Sequence, residues 1–320
     1  RKTVEINFTE ISIQCKCFSN CDSIIIKNEL SNGGIRMKAG FIGLGTLGKT
    51  IAKRLISENV ELIVWNRTKE KAQELNAKWA ENPAELVSQT EIVFLCLFDS
   101  KAVAEVVNGE NGLLSKDING KIIIDNTTNH FEPVLRFHEM FREKGASYIE
   151  APVLGSVVPA SQGKLTVLAG GKRTAYDAAL PLIQKIGSAI FYLGEPGLPT
   201  KMKLINNLIL GCFMATIAEA TVFGEAVGLD KEKILDIFAA GAGNSMVLNA
   251  KREKLINEDF STHFSSSLIY KDLHFLQDLA KSLKRPLFTG SIAKELFGMT
   301  LSRDIDHLDF SGVYKVLKEW

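Results

Sequence analysis

Charge of one sign, long apolar runs and cysteine are all scarce in this chain. Its 320 residues set 38 Lys and Arg against 37 Asp and Glu, for a formal net charge of +1. No whole-chain field is left to hold a polyanion or an anionic membrane, which argues against nucleic acid and lipid surfaces as partners. The most apolar stretch, Leu208 to Ala218, is shorter than the roughly 20 residues of a spanning helix and is flanked by Lys203, Asn206, Asn207 and Glu219. A membrane span is therefore not expected. Of five cysteines, Cys15, Cys17 and Cys21 fall in one short segment, while Cys96 and Cys212 sit in apolar runs where free thiols pack as small hydrophobes. That usage suits a reducing cytoplasm. Neither an internal repeat nor a low-complexity tract is present.

What is there is core-forming material: 46% hydrophobic and 23% charged residues, in a length that suits two domains. Residues 1–36 read unlike the rest, with the cysteine cluster and a Ser31-Asn32-Gly33-Gly34 end before Met37. They match no secretory or transit signal and are expected to be a non-native or disordered extension, with Met37 the native start. Cys15-Lys16-Cys17 and Cys21 lack a local fourth ligand and fit no common zinc spacing, so no metal site is expected. From Met37 on, short β-branched runs alternate with helical stretches. Ala39 to Ile42, Glu61 to Trp65, Ile92 to Leu97, Ile122 to Ile124 and Ser147 to Ile149 are the strands, and Leu165 to Leu168 and Ala189 to Tyr192 extend the sheet. Strands apolar on both faces and linked by helices predict an α/β fold with a doubly wound parallel sheet. Past Gly194-Glu195-Pro196-Gly197 only helical periodicity remains, from Lys201 to Val227 and again from Lys231, Leu268 and Ser291. The expected domains are 37–195 and an all-α 196–320.

Gly43-Leu44-Gly45-Thr46-Leu47-Gly48 is a G-x-G-x-x-G run between the first strand and the first helix. The first glycine suits a tight turn, the second lets a pyrophosphate approach the backbone, and the third lets helix pack on strand. The diphosphate of a dinucleotide would then meet helix-terminal N–H groups. About twenty residues on, where an NAD enzyme places a carboxylate against the ribose, the chain has Asn66-Arg67-Thr68. A neutral Asn66 spares a 2′-phosphate from repulsion, and the Arg67 fork can grip it, so NADP is favoured. The plainer alternative is that Arg67 is a solvated turn residue.

Taken in order, these motifs and those that follow resemble the β-hydroxyacid dehydrogenase family, most closely its glyoxylate and succinic semialdehyde reductase branch. The resemblance runs from Met37 to the C-terminus. It is carried by Gly40 to Gly45, Trp65-Asn66-Arg67-Thr68, Ala151-Pro152-Val153 with Gly155-Ser156, Gly163-Lys164-Leu165, Lys201 to Asn207, Lys271-Asp272-Leu273, and Leu308 to Ser311. It implies a Rossmann domain joined by a long helix to an all-helical domain that dimerises, and reduction of a small aldehyde acid with a nicotinamide cofactor. By position, Lys203 would be the catalytic lysine and Asn207 its partner in orienting substrate. Residues four apart share a helix face, so both can converge on one carbonyl oxygen.

Thr127 and Thr128 match the family's hydroxyl pair that touches cofactor and substrate, although a helix cap before Phe131 is an alternative reading. Leu97 and Phe98 at the end of the third strand, with Thr128 and Lys271, complete the implied cofactor set. Leu154, Gly155, Ser156 and Asp272 form the implied substrate set. Lys271 and Asp272 could instead be an ordinary exposed pair. Two departures from the pattern stand out: Glu150 opens a motif that usually begins with Asp, and Leu154 replaces a serine that helps bind the substrate carboxylate. A pocket with Leu154 would take a less polar acyl end, or rely on the N–H groups around Gly155 and Ser156.

Imine reductases share the fold but generally lack the lysine. 6-Phosphogluconate dehydrogenase shares the lysine chemistry but usually needs a longer helical domain. A nuclear member of the family is a non-catalytic binding module that has lost the lysine. The apolar run Leu208 to Met214 is hydrophobic nearly all round, which predicts coverage by a second copy in a homodimer or homotetramer.

Overall fold

The computed structural model describes residues 5–8, 11–14 and 37–319. It divides into two units, 1–37 and 38–320. In the first, β1 (Glu5–Phe8) and β2 (Ile11–Gln14) pair antiparallel. The cysteine cluster and the Ser31 to Gly34 stretch, with the zinc question they raised, lie outside the described residues.

The second unit begins with β3 (Lys38–Ile42), α1 (Thr46–Ser57), β4 (Glu61–Trp65), β5 (Lys78–Trp79), α2 (Pro83–Ser88), β6 (Ile92–Leu95), α3 (Ser100–Asn108), β7 (Ile122–Asp125), α4 (Phe131–Glu143) and β8 (Ser147–Glu150). These strands run parallel in the order β5-β4-β3-β6-β7-β8, the doubly wound order in which two mononucleotide-binding halves meet at the first strand. Residues 39–42 of β3 are fully buried, which is why that strand reads as a continuous apolar run. The short β5 carries too few residues for any periodicity to announce it.

The sheet does not stay parallel. After β9 (Val153–Leu154) and α5 (Val157–Ser161), β10 (Leu165–Gly170) pairs antiparallel with both β9 and β8. Following α6 (Arg173–Ile186), β11 (Gly187–Gly194) lies parallel to β10. The expected extension of the sheet is present with its direction reversed, because the chain turns back through the short α5 to lay β10 beside β9 instead of crossing over the face of the sheet. A two-residue strand and its reversal leave almost no sequence signal.

The remainder is helical: α7 (Leu198–Ala226), α8 (Lys231–Ala240), α9 (Met246–Asn257), α10 (Ser266–Ser282), α11 (Phe288–Leu301) and α12 (Val313–Lys318). Helix α9 escaped the periodicity reading because two of its four buried positions are Lys251 and Lys254, whose stems are covered while their ammonium groups reach Asp309 and Ser261. One apolar cluster fills the space beneath the sheet around Val93, Val103, Ile123 and Phe141, and a second joins α7 to α10 and α11 around Leu204, Met214, Leu273 and Phe297.

Helix α7 corrects one expectation. At 29 residues it is long and apolar enough to cross a membrane by length and composition, whereas Leu208 to Ala218 alone is not. Its apolarity has two sources. One face, with Leu204, Gly211, Met214 and Ala218, packs into the helical core. The opposite face leaves Met202, Ile205, Ile209, Phe213 and Phe223 exposed. Buried on the core face are also Lys203 and Asn207, which no lipid-facing surface would carry without cost. At Gly211 a Cβ would stand 3.0 Å from Leu273 and 3.4 Å from Ile269, so the missing side chain lets α10 approach α7 closely. That approach brings the next turn of each helix into contact at the site described below.

Candidate active site

The glycine run sits at the C-terminal edge of β3, where each glycine meets a different demand. Gly43 has φ of 100°, in the left-handed region, and donates its N–H to the Trp65 carbonyl at 3.0 Å. A Cβ on Gly48 would fall 2.1 Å from the Gly43 carbonyl oxygen, so α1 could not rest on the turn. A Cβ on Gly45 would meet no protein atom within 4 Å. Gly45 is therefore open toward solvent at the N-terminus of α1, where a diphosphate would need the space. Asn66 locks the turn by accepting from Leu44 N–H at 2.9 Å and donating to the Thr68 carbonyl at 2.9 Å. Its role is thus structural as well as permissive.

Arg67 and Thr68 line a cavity of about 380 Å³ with Leu97, Phe98 and Lys71. Lys71 is a cation that the sequence reading missed. Nothing in its own neighbourhood marks it, because it lies in a solvent-exposed turn among Lys69 and Glu70. Arg67 makes no ion pair among the described residues, so its fork is available to an anion. The glycine cradle, this cationic end and the unpartnered buried Oδ1 atoms of Asn126 and Asn129 together fit a phosphorylated dinucleotide lying across the ends of β3, β6 and β7.

At the end of β7 a buried carboxylate organises the next loop. Asp125 accepts from Thr127 N–H at 2.8 Å, from Asn129 Nδ2 at 2.8 Å and from the Tyr148 hydroxyl. Burial pushes its carboxyl up from the usual range, opposed by these hydrogen bonds. Thr127 in turn accepts from the Leu97 N–H at 3.0 Å, tying the β6 loop to the β7 loop. The helix-cap alternative for the threonine pair fails: His130 caps α4, its Nδ1 accepting from Glu132 N–H at 3.2 Å. The Thr128 carbonyl accepts from Lys271 at 3.0 Å.

Lys203 and Asn207 lie one turn apart on the buried face of α7. The Lys203 ammonium donates to the Val153 carbonyl at 2.8 Å. Burial, with a smaller push from Lys271 and an opposing pull from Asp272, lowers its pKa to about 8. Asn207 Nδ2 donates to Asp272 Oδ2 at 2.6 Å across a separation of 65 positions. Lys271 Nζ lies 2.8 Å from Asp272 Oδ1, close enough to pair by charge, yet that oxygen has no aligned hydrogen-bond donor. Asp272 is only 1% exposed and Lys271 stands over the rings of Phe98 and Phe275, so the reading of this pair as an ordinary surface ion pair is wrong.

The structure thus brings Lys203, Asn207, Lys271 and Asp272 together with Thr128 and the β9 turn. Leu154 is half-buried on β9, next to the Val153 carbonyl that holds the lysine. Ser156 is less available than expected, because its hydroxyl donates to the His263 carbonyl at 3.0 Å and pins the loop before α10.

Residues 38–194 match the family model described as the NAD binding domain of 6-phosphogluconate dehydrogenase, and 197–317 match that described as NAD-binding of NADP-dependent 3-hydroxyisobutyrate dehydrogenase. The chain is 32% identical to glyoxylate/succinic semialdehyde reductase 2, chloroplastic, of Arabidopsis thaliana, over 87% of this chain and 79% of the relative. It is 34% identical to the cytokine-like nuclear factor N-PAC of Gallus gallus over 87% of this chain, but spans only about half of that longer protein, 51%. A solved structure described as Psf3 in complex with NADP+ and 2-OPP superposes with a TM-score of 0.81 at 28% identity, covering 87% of this chain and 99% of that one.

Gly45→Ala and Gly48→Ala separate the two uses of the glycine run. Gly45→Ala should leave the thermal midpoint of the cofactor-free protein unchanged while weakening NADPH binding by about tenfold or more, read by fluorescence titration. Gly48→Ala should lower the midpoint as well, since a backbone oxygen has to move.

The sheet order, the glycine cradle and the buried lysine agree with these matches: the chain belongs to the β-hydroxyacid dehydrogenase family of nicotinamide-dependent oxidoreductases.

Proposed function

We propose that this chain is an NADPH-dependent reductase that converts a small aldehyde or oxo acid, such as glyoxylate or succinic semialdehyde, to the hydroxy acid, with Lys203 as proton donor. The observation that carries this reading is the buried Lys203 ammonium, fixed at 2.8 Å on the Val153 carbonyl and one turn from Asn207. Bound NADPH supplies the hydride. As the substrate carbon accepts it, the Lys203 N–H bond breaks and an O–H bond forms on the former carbonyl oxygen, leaving a neutral amine that regains a proton from water. Asp272 takes one N–H of Asn207 and so fixes the way the carboxamide faces, leaving its second N–H for the substrate oxygen. Leu154 and Gly155 would border the acyl end of the substrate, and Leu154 favours one less polar than a family serine would accept.

Choice of NADPH over NADH rests on Arg67 and Lys71 at the cavity beside β4, with no carboxylate at Asn66. Assembly as a homodimer or homotetramer is supported by the exposed apolar stripe of α7, to which Phe288 and Ile292 of α11 add. We place the enzyme, in the same proposal, in a reducing cytoplasm.

Lys203→Met keeps unbranched bulk and helix propensity but removes the donor. NADPH affinity should be nearly intact while turnover falls by about two to four orders of magnitude. Substantial activity in Lys203→Met would favour imine reduction. In the wild type, reduction needs the ammonium, so kcat should hold below the lysine pKa of about 8 and fall roughly tenfold per pH unit above it. Arg67→Asp should weaken NADPH use sharply while sparing NADH, because a like charge then faces the 2′-phosphate; equal losses would show that Arg67 does not grip it. Sedimentation at working concentration should show no 35.2 kDa species as the main component.

A further inference from the structure

Helix α7 begins without a side-chain cap of its own, at Gly197. Its first free N–H groups are satisfied from elsewhere. Glu150, at the end of β8 and 1% exposed, accepts from Gly197 N–H at 2.5 Å on Oε1 and from Thr200 N–H at 3.1 Å and Thr200 Oγ1 at 2.5 Å on Oε2. Oε1 also lies 2.9 Å from His138 Nε2 of α4. A carboxylate at this end of a helix is favoured by the unpaired N–H groups and by the dipole, and more strongly when desolvated. Three residues further along the chain, at the start of β9, the Val153 carbonyl receives the Lys203 ammonium at 2.8 Å. Thr200 and Lys203 are likewise three apart, so they share a face of α7. Two partners three apart on one segment therefore grip two partners three apart on the helix.

We infer that residues 150–153 form a two-point clamp on the first turns of α7, in which Glu150 is a positioning residue that holds the Lys203 ammonium on the Val153 carbonyl. The inference rests on Lys203 being the proton donor. The groups facing Lys203 are Asp272 and Lys271 of α10, and those facing Glu150 are His138 of α4 and Tyr148 of β8. The Val153 carbonyl favours the charged lysine, so loosening the clamp lowers the pH at which Lys203 loses its proton.

The test compares the full chain with Glu150→Gln, Thr200→Ser and Thr200→Val. Glu150→Gln turns one acceptor into a donor facing the helix N–H groups. It should lower kcat about tenfold or more at saturating NADPH and substrate, keep the NADPH Kd within about twofold, and shift the alkaline limb of kcat to lower pH. Thr200→Ser, which keeps the hydroxyl, should retain more kcat than Thr200→Val. Loss of stability alone would lower the melting point without moving the limb. If Glu150→Gln does not fold, the serine and valine variants carry the comparison. Amine labelling of Lys203 against pH, read by mass spectrometry without turnover, separates the two ideas. A labelling midpoint that drops in Glu150→Gln or Thr200→Val supports the clamp even if Lys203→Met stays active, which would remove only the donor reading. A folded Glu150→Gln with wild-type kcat, limb and labelling midpoint overturns the clamp.

Discussion

Two buried carboxylates at neighbouring strand ends constrain everything around the site. Asp125 and Glu150 are partners in the register of β7 and β8, each 1% exposed, and each would be costly to bury without donors. The protein meets that demand in two directions. Donors to Asp125 come from the loop that carries Thr127 and from Asn129 and Tyr148, and those to Glu150 come from the start of α7. Satisfying the charges therefore fixes the cofactor-side loop and the lysine-bearing helix to the same pair of strands. Removing either set of donors would leave a desolvated acceptor, so the geometry is held by the penalty for breaking it more than by the gain on forming it.

The same economy of partners explains the helical side. Asn207 donates to Asp272 where α7 and α10 meet, one turn from the close approach that Gly211 permits. Lys271 then bridges back to the Thr128 carbonyl and over Phe98, and Phe275 and Asp278 of the same helix meet His130, so α10 ties the helical part of the chain to the loops at the ends of β6 and β7. The candidate cofactor and substrate groups form a single surface because the same side chains serve as structural ties. The proposed reaction, which needs a proton beside a hydride acceptor, would be served by such sharing, since Lys203 is held on a backbone carbonyl among buried partners.

The cofactor end was largely legible in the sequence because its determinants are local. A strand, a turn and a helix within a dozen residues dictate the glycine roles, and Asn66 follows at a fixed distance. Even there Lys71 was missed, since an exposed lysine among other charges has no distinguishing neighbourhood until the cavity exists. The substrate end was legible as residue types on one helix face and through family resemblance, but not as contacts. Asp272 and Lys271 read equally well as surface charges until α10 was packed. The alternative of a helix cap for the threonine pair stayed open until His130 took that place. The reversal of β10 and the helix α9 were hidden because a two-residue strand and a lysine-rich buried face carry no clear period.

By itself the sequence determined the alternation of strand and helix, the dinucleotide-binding turn and the placement of Lys203 and Asn207 on one side of a helix. These follow from spacing along the chain, where backbone geometry leaves few choices. Tertiary structure alone decided what those groups touch: the 50-position reach from Glu150 to Thr200, the 65-position pairing of Asn207 with Asp272, and the carbonyl that holds the lysine. The physical reason is that desolvation, charge and hydrogen-bond partnership exist only once distant segments exclude water together, and no local pattern encodes which segments those will be.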